Sequence, residues 1–430
     1  ASAPLTRRRF DFRISRFNMR VLIVSPWLPH PHIAHAGGET LFHTVRSLVE
    51  RGHAVHLLCY GRGESEEQRA AVTRLCASLQ VITPAYSLQA KLASFVHGGW
   101  RQPWLLGRRT HAEMRLALQE RCRSSAIEVV QTFWTEMGRY LDAVPGGLGT
   151  VLSTLDVEAR VRPRELELLP PGPARWQARV QTRRLIRDER RYVAAAGAVT
   201  VCSPSDRAQL ARFGAPERIF VTPPWLDLPA LQGVTPERVI PGRLTFMGAL
   251  DRVANAAAAR FLLTEVWSRI QRAYPTATLH IVGAAPPAWL QRAAASDPRV
   301  QVTGWAPDLV EVWAQTDIAV CPSLTGGGLL LKVAQPMAAG RPVVTTTLGN
   351  EGTAAPEDAV AIADDPAAFA QEVLRLLEDR AYWERLAQAG RRHIAATLDW
   401  ESSMDQLEAA LRAARSCRAL PALSPSRRDI

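Results

Sequence analysis

Lysine is nearly missing from this chain. Of 52 lysines and arginines, only Lys91 and Lys332 are lysines, so 50 are arginines. The formal charge of +11 is therefore read first as a compositional preference for arginine, with the charges solvated. No helix-turn-helix, zinc-finger or base-stacking signature accompanies the charge, which leaves nucleic acid the least favoured partner. Cysteine is sparse as well: Cys59, Cys76, Cys122, Cys202, Cys321 and Cys417 are scattered, with no C-x-x-C pair. That argues against a disulfide framework or a structural zinc site and fits a reducing cytoplasm. No apolar run reaches the length of a spanning helix. Residues 1–18 lack an apolar h-region and read as an extension ahead of Met19, not as a signal peptide. No Asp-x-Asp pair occurs. His30, His32 and His35 sit on a proline-rich loop, where their spacing makes a poor metal signature, so no metal is expected.

What is present is a globular composition, 47% hydrophobic and 22% charged over 430 residues, too long for one core. Val21–Ser25 is a continuous apolar run, as in a strand buried on both faces. Leu41, Phe42, Val45, Leu48 and Val49 follow at helical spacing, Gly52 closes that helix, and Ala54–Tyr60 reads as the next strand. The right-handed crossover of such a unit implies a parallel sheet. Further strands are expected at Val129–Phe133, Thr150–Thr154, Ala198–Cys202 and Ile219–Thr222. The run Arg160–Tyr192, broken by PPGP, is either a solvated helix face or a basic helix making a peripheral membrane contact.

Prolines 223, 224, 229, 236 and 241 mark a linker. A second series begins at Leu244–Gly248. It continues through a helix over about 255–273 and strands at Thr278–Val282, Val300–Val302 and Ile318–Cys321. A helix over 328–339, a strand at Pro342–Thr345 and helices from Pro366 to Leu411 complete it. The expected architecture is α/β, with two Rossmann-like doubly wound domains facing a central cleft. The expected division is an extension at 1–18, a first domain at 19–224, a second at 225–398, a closing helix at 399–414 and a loose tail at 415–430.

The segment Gly326–Thr346 (GGGLLLKVAQPMAAGRPVVTT) is the most informative. Glycines permit close backbone approach, a helix start favours an anion, and Lys332 adds a full charge there, which together suit a phosphate. The alternative is a tight turn before a packing helix, with Lys332 solvated.

FMGALDRVANAAAARFLLTEVWSRI (246–270), LHIVG (279–283), VQVTGWAPDL (300–309), DIAVCPS (317–323), the glycine–lysine segment and LGNEG (348–352) occur in one order. That order resembles the C-terminal half of retaining GT-B glycosyltransferases of family four (group 1). VLIVSPWLP, the Gly37–Gly38 pair and CSPSDRAQL (202–210) extend the resemblance more weakly to the first half. The resemblance implies transfer of a sugar from a nucleoside diphosphate, such as a UDP- or GDP-sugar, to a glycan, lipid-linked or small-molecule acceptor. It implies retention of configuration and a cytoplasmic location that can include the inner face of the membrane. By family position Lys332 and Gly326, Gly327 and Gly328 hold the diphosphate, and Gly37 and Gly38 cap it. Gly248 belongs to the opening motif of the donor site, Trp305 to Asp308 lie near the base, and Gln335 lies near the ribose.

Two departures matter. Gly327 and Gln335 stand where the family usually has two glutamates eight positions apart. A neutral amide grips a ribose diol less strongly than a carboxylate, by on the order of 1 kcal/mol. Pro336 beside it is expected to kink or shorten the helix. Leu155 fills a position where many relatives have histidine, next to Asp156. Asp156 and Glu158 either serve the acceptor site or Asp156 caps a strand-to-helix turn. Glu351 either approaches the donor sugar or merely occupies a glycine-bounded turn. Trp100 and Trp104 line an acceptor cleft or cover core. These losses also admit a second reading, a non-catalytic nucleotide- or glycan-binding partner subunit.

Overall fold

The computed structural model describes residues 19–83 and 111–417, except 32, 34 and 62. Trp100, Trp104, His32, the first 18 residues and the tail from 418 lie outside the described residues. Seven parallel strands build the first sheet: β1 (Arg20–Ser25), β2 (Ala54–Tyr60), β3 (Ser78–Ile82), β4 (Val129–Phe133), β5 (Gly149–Ser153), β6 (Ala198–Val201) and β7 (Ile219–Val221). Their order is β3-β2-β1-β4-β5-β6-β7. Six strands build the second: β8 (Arg243–Met247), β9 (Thr278–Val282), β10 (Val300–Thr303), β11 (Ile318–Cys321), β12 (Val343–Thr345) and β13 (Ala361–Ile362), in the order β10-β9-β8-β11-β12-β13. Both are parallel sheets sandwiched by helices, a pair of Rossmann-like doubly wound domains.

Continuous apolar runs set these strands, because helices cover both faces. Val21, Leu22, Ile23 and Val24 are all fully buried, and β1 pairs with both β2 and β4. β3 and β13 were not anticipated. β3 is an edge strand with four of its five residues only half-buried, so no apolar run marks it, and β13 is two residues long. The helix expected over 328–339 is Leu331–Ala338. It begins late because Gly326 and Gly328 take φ of 112° and 69°, left-handed values that a helix cannot contain. The long helix of the second domain, Val253–Ala273, has a π-turn at Leu262–Val266. No described helix is long and apolar enough to cross a membrane.

The last helix, Trp400–Ser416, returns to the first sheet. Met404, Leu407, Ala410, Leu411 and Ala414 join the core formed by Val21, Ile23, Val45 and Val151. Gly149 and Gly197 let it lie close: a Cβ on Gly149 would stand 2.8 Å from the Ala414 carbonyl carbon. The Ser403 hydroxyl donates to the Pro223 carbonyl at 2.8 Å, and Trp400 Nε1 donates to Ser47 Oγ at 2.9 Å. Because Leu411 is completely buried in that shared core, Leu411→Ala is expected to cost about 2–5 kcal/mol of stability. Urea unfolding followed by circular dichroism measures this, and a loss below about 0.5 kcal/mol would show that the helix is not part of the first core.

Candidate functional site

The carboxyl ends of both sheets meet across a cleft. From the second domain the glycine turn after β11 enters it. A Cβ on Gly327 would stand 3.3 Å from Val161 Cγ2, and one on Gly328 would stand 3.5 Å from Asp156 Oδ1, both in the first domain. Gly352 packs against the turn so tightly that a Cβ there would be 2.0 Å from the Gly328 carbonyl oxygen. These contacts give the glycines a steric reason in addition to their backbone angles.

Lys332 lies on the first turn of the helix Leu331–Ala338, whose Leu330 N-cap offers no side-chain acceptor to the helix N–H groups. Its ammonium donates to Asn255 Oδ1 at 3.0 Å and stands 5.4 Å from the centre of the Phe246 ring. Asn255 Nδ2 in turn donates to the Ala249 carbonyl at 2.9 Å. A Cβ on Gly248 would strike Asn255 Cγ at 2.7 Å, so this glycine makes room for the residue that orients the lysine. Lys332 is half-buried and has no carboxylate partner among the described residues. Burial pulls its pKa down to about 8; Cys321 opposes this and Arg252 adds to it. Arg252 also favours the charged form of Asp156, so it stands near enough to the cleft to act on both groups.

Pro336 does sit inside this helix, which is only eight residues long. It removes the N–H that would bond to the Lys332 carbonyl, and the Cys321 thiol donates to that carbonyl instead, at 3.0 Å. Gln335 lies one turn beyond Lys332. Its Oε1 accepts from Trp313 Nε1 at 3.4 Å, which turns the NH2 end of the amide away from Trp313. Trp305, on the loop after β10, is 59% exposed.

From the first domain, Gly37 and Gly38 open the helix Ala36–Glu50. His35 is its N-cap: Nδ1 accepts from the Gly38 N–H at 3.0 Å, which explains one histidine of the loop without a metal. The glycines also serve packing here, since a Cβ on Gly37 would lie 2.6 Å from both Trp134 Cζ2 and Leu155 Cδ1.

The capping role considered for Asp156 is wrong. The N-cap of the helix Glu158–Glu167 is Val157, and the N–H groups of Glu158 and Ala159 donate to the Glu189 carboxylate at 2.8 Å each. Asp156 is left facing the cleft, open to solvent along it but ringed by protein. That desolvation, with Glu158 and Asp206 adding, pushes its pKa up to about 6 against the pull of Arg252 and Arg162. Glu158 is engaged elsewhere, accepting from Arg162 Nε at 2.6 Å.

Glu351 belongs to a contact between the domains. Arg160 and Arg164, one helical turn apart on Glu158–Glu167, both bind its carboxylate, and the Arg164 bonds measure 2.9 and 3.2 Å. Burial alone would raise its pKa, but these two guanidinium groups hold it below the usual value. Arg164 also donates to the Gly326 carbonyl at 2.8 Å, and Arg160 donates to Asp206 and Ser205 at 2.9 Å each. A carboxylate held this way is a strut between domains, not a group free to meet a sugar. Sequence reasoning missed Arg160, Arg164 and Arg252. The four-residue spacing of the first two was the available signal.

Two family models match the chain, one on each domain: Glycosyltransferase Family 4 over residues 37–229 and Glycosyl transferases group 1 over residues 241–379. No curated protein is significantly similar to it in sequence. Among solved structures, Anabaena HepE in complex with UDP and glucose superposes with a TM-score of 0.62 at 12% identity, over 92% of this chain and 99% of its own. Sucrose-phosphate synthase from Thermosynechococcus elongatus gives 0.62 at 15% identity, over 91% and 98%. A variant of S. aureus TarM with fondaparinux, α-GlcNAc-glycerol and UDP gives 0.64 at 8%, over 91% and 100%. At these identities the structures bear on the fold. Together with the two family matches, they support a GT-B glycosyltransferase.

Proposed function

We propose that the chain moves a sugar from a nucleoside diphosphate, with UDP first among the candidates, to an acceptor hydroxyl with retention of anomeric configuration. The observation that carries this is Lys332: a half-buried ammonium, held by a neutral amide and not a carboxylate, beside a glycine turn and opposite Asp156. Bond breaking in a sugar nucleotide places negative charge on the departing diphosphate. Lys332, the uncapped helix start and Arg252 meet that charge as fixed groups in a site that protein largely surrounds, where such interactions count most. Gly37 and Gly38 close on the diphosphate from the other domain. The scheme assigns no metal, because cations and peptide dipoles of the chain do that work. Asp156 takes a hydrogen bond from the acceptor. Gln335 donates its amide hydrogens to the ribose, and Trp305 stacks on the base. Retention follows if the acceptor hydroxyl enters on the face from which the diphosphate leaves.

The UDP and glucose of HepE and the UDP and glycan of TarM favour a UDP-sugar and a glycan acceptor over GDP-sugars and lipid carriers. The helix Pro173–Ala195 carries Trp176, 70% exposed, among arginines, which suits a peripheral contact with an anionic membrane at its cytoplasmic face. The second reading, a nucleotide-binding partner subunit without turnover, is favoured by Gln335, Leu155 and the bound state of Glu351.

Incubation with a panel of UDP- and GDP-sugars should release free nucleoside diphosphate. Lys332→Ala should slow that release by about 100-fold or more. Tight binding without release across the panel would select the partner-subunit reading. Lys332 is charged below its pKa of about 8, so nucleotide-sugar affinity measured by calorimetry should be flat below that pH. Above it, affinity should fall by about tenfold per pH unit. Gln335→Glu should tighten nucleotide-sugar binding by about fivefold through a charge-assisted bond, and weaker binding would remove Gln335 from the ribose. Asp156 is protonated below about pH 6, so transfer should fail on the acid side of that value. Asp156→Asn should abolish that limb of the pH profile.

A further inference from the structure

In the first sheet the connections reverse direction between β1 and β4: the chain runs from β1 outward to β2 and β3, then returns at β4 to lay down β5, β6 and β7 on the other side. The crevice beyond the carboxyl ends of two such strands is where open α/β sheets take ligands. Trp27 follows β1 by two residues and Trp134 follows β4 directly, so both indoles stand at that crevice. Their ring centroids are 4.6 Å apart at 81°, and His35 meets Trp27 at 5.0 Å and 66°. All three rings are half-buried, and Trp134 also packs against the edge of the first core.

Trp134 also has a backbone φ of 75°. A bulky L residue enters the left-handed region only at a cost of order 1–3 kcal/mol, and such residues gather at ligand sites. Its N–H still bonds to the Ser153 carbonyl at 2.8 Å, so the strand ladder fixes the turn that aims the indole. The ring edge passes where a Cβ of Gly37 would be, beside Leu155. Thr135 Oγ1, the next residue, reaches the Asp156 carbonyl at 3.5 Å. Through Leu155 and Thr135 the aromatic group adjoins the backbone that carries Asp156, whose carboxylate faces Gly328 across the cleft.

A pyranose has an apolar face of C–H groups and a rim of hydroxyls, and aromatic rings beside a carboxylate complement both. We infer that Trp27, Trp134 and His35 form the wall of an acceptor subsite for a sugar ring, one of whose hydroxyls bonds to Asp156. This rests on the transferase reading above and names the acceptor's chemical class and the residues that grip it.

Saturation-transfer NMR on the full chain tests it, with methyl α-glucopyranoside, methyl β-galactopyranoside, octyl β-glucopyranoside and UDP as probes. Ring protons of at least one glycoside should receive saturation from the protein. The transfer should survive Trp27→Phe, which keeps an aromatic face, and drop at least fivefold in Trp27→Leu. UDP in the same tube reports the donor site. Saturated UDP with no saturated glycoside would overturn the subsite while leaving the donor site standing. Equal transfer in Trp27→Leu, or saturation confined to the octyl chain, would overturn it too. If UDP also received no saturation, the transferase reading would fall, and the subsite with it.

Discussion

Two arginines on one carboxylate hold this molecule's halves in register. Arg160 and Arg164 come from the first domain and Glu351 from the second, and Arg164 reaches past Glu351 to the Gly326 carbonyl. The bond to Gly326 gives the strut its meaning. It fastens the glycine turn, whose positive φ values favour glycine, from the opposite lobe. A flexible turn would gain little from Lys332 alone, because the anion would have to order the backbone as it bound. With the turn tied to Arg164, part of that ordering is already complete when the lobes are together. The conformation of the glycine turn is thus supported by both domains and not by the second domain alone.

The polar logic around the strut is consistent. Buried ions need partners. Asp206 has Arg160, Glu158 has Arg162, and Glu189 receives two peptide N–H groups. Asp156 and Lys332 have no ion-pair partner among the described residues: Asp156 opens to solvent along the cleft near other acids, and Lys332 is half-buried and held by an amide. Their pKa values both move toward neutrality, as expected of groups kept partly desolvated without a counterion. That behaviour sets the two groups apart from the surrounding ion-pair framework and makes them the candidates for chemistry.

Much of the fold was legible because parallel strands covered on both faces are mostly apolar. β2, β4, β9 and β11 have the limits expected from sequence, even though His56, Gln131, Thr132 and His280 interrupt the apolar residues of the first three. β3 escaped because an edge strand with half-buried residues carries no such run. The candidate site stood out in the sequence where composition made a residue rare. Lys332 stood out in a chain with two lysines, whereas Arg160, Arg164 and Arg252 were hidden among 50 arginines. The choice between cap and acceptor-site roles for Asp156 stayed open in the sequence because the group that takes the helix N–H bonds, Glu189, lies on the next helix, where no local pattern connects them. Nothing in sequence announces the φ of Trp134, since the strand pairing that imposes it is a tertiary fact.

The returning helix Trp400–Ser416 has a mechanical consequence. The polypeptide passes between lobes twice, once near Pro223 and once near Asp399, and the Ser403–Pro223 hydrogen bond at 2.8 Å staples those crossings side by side. Two adjacent tethers set a line about which one lobe can swing against the other, as the shells of a bivalve do. The rim opposite that line is the one such a swing moves farthest.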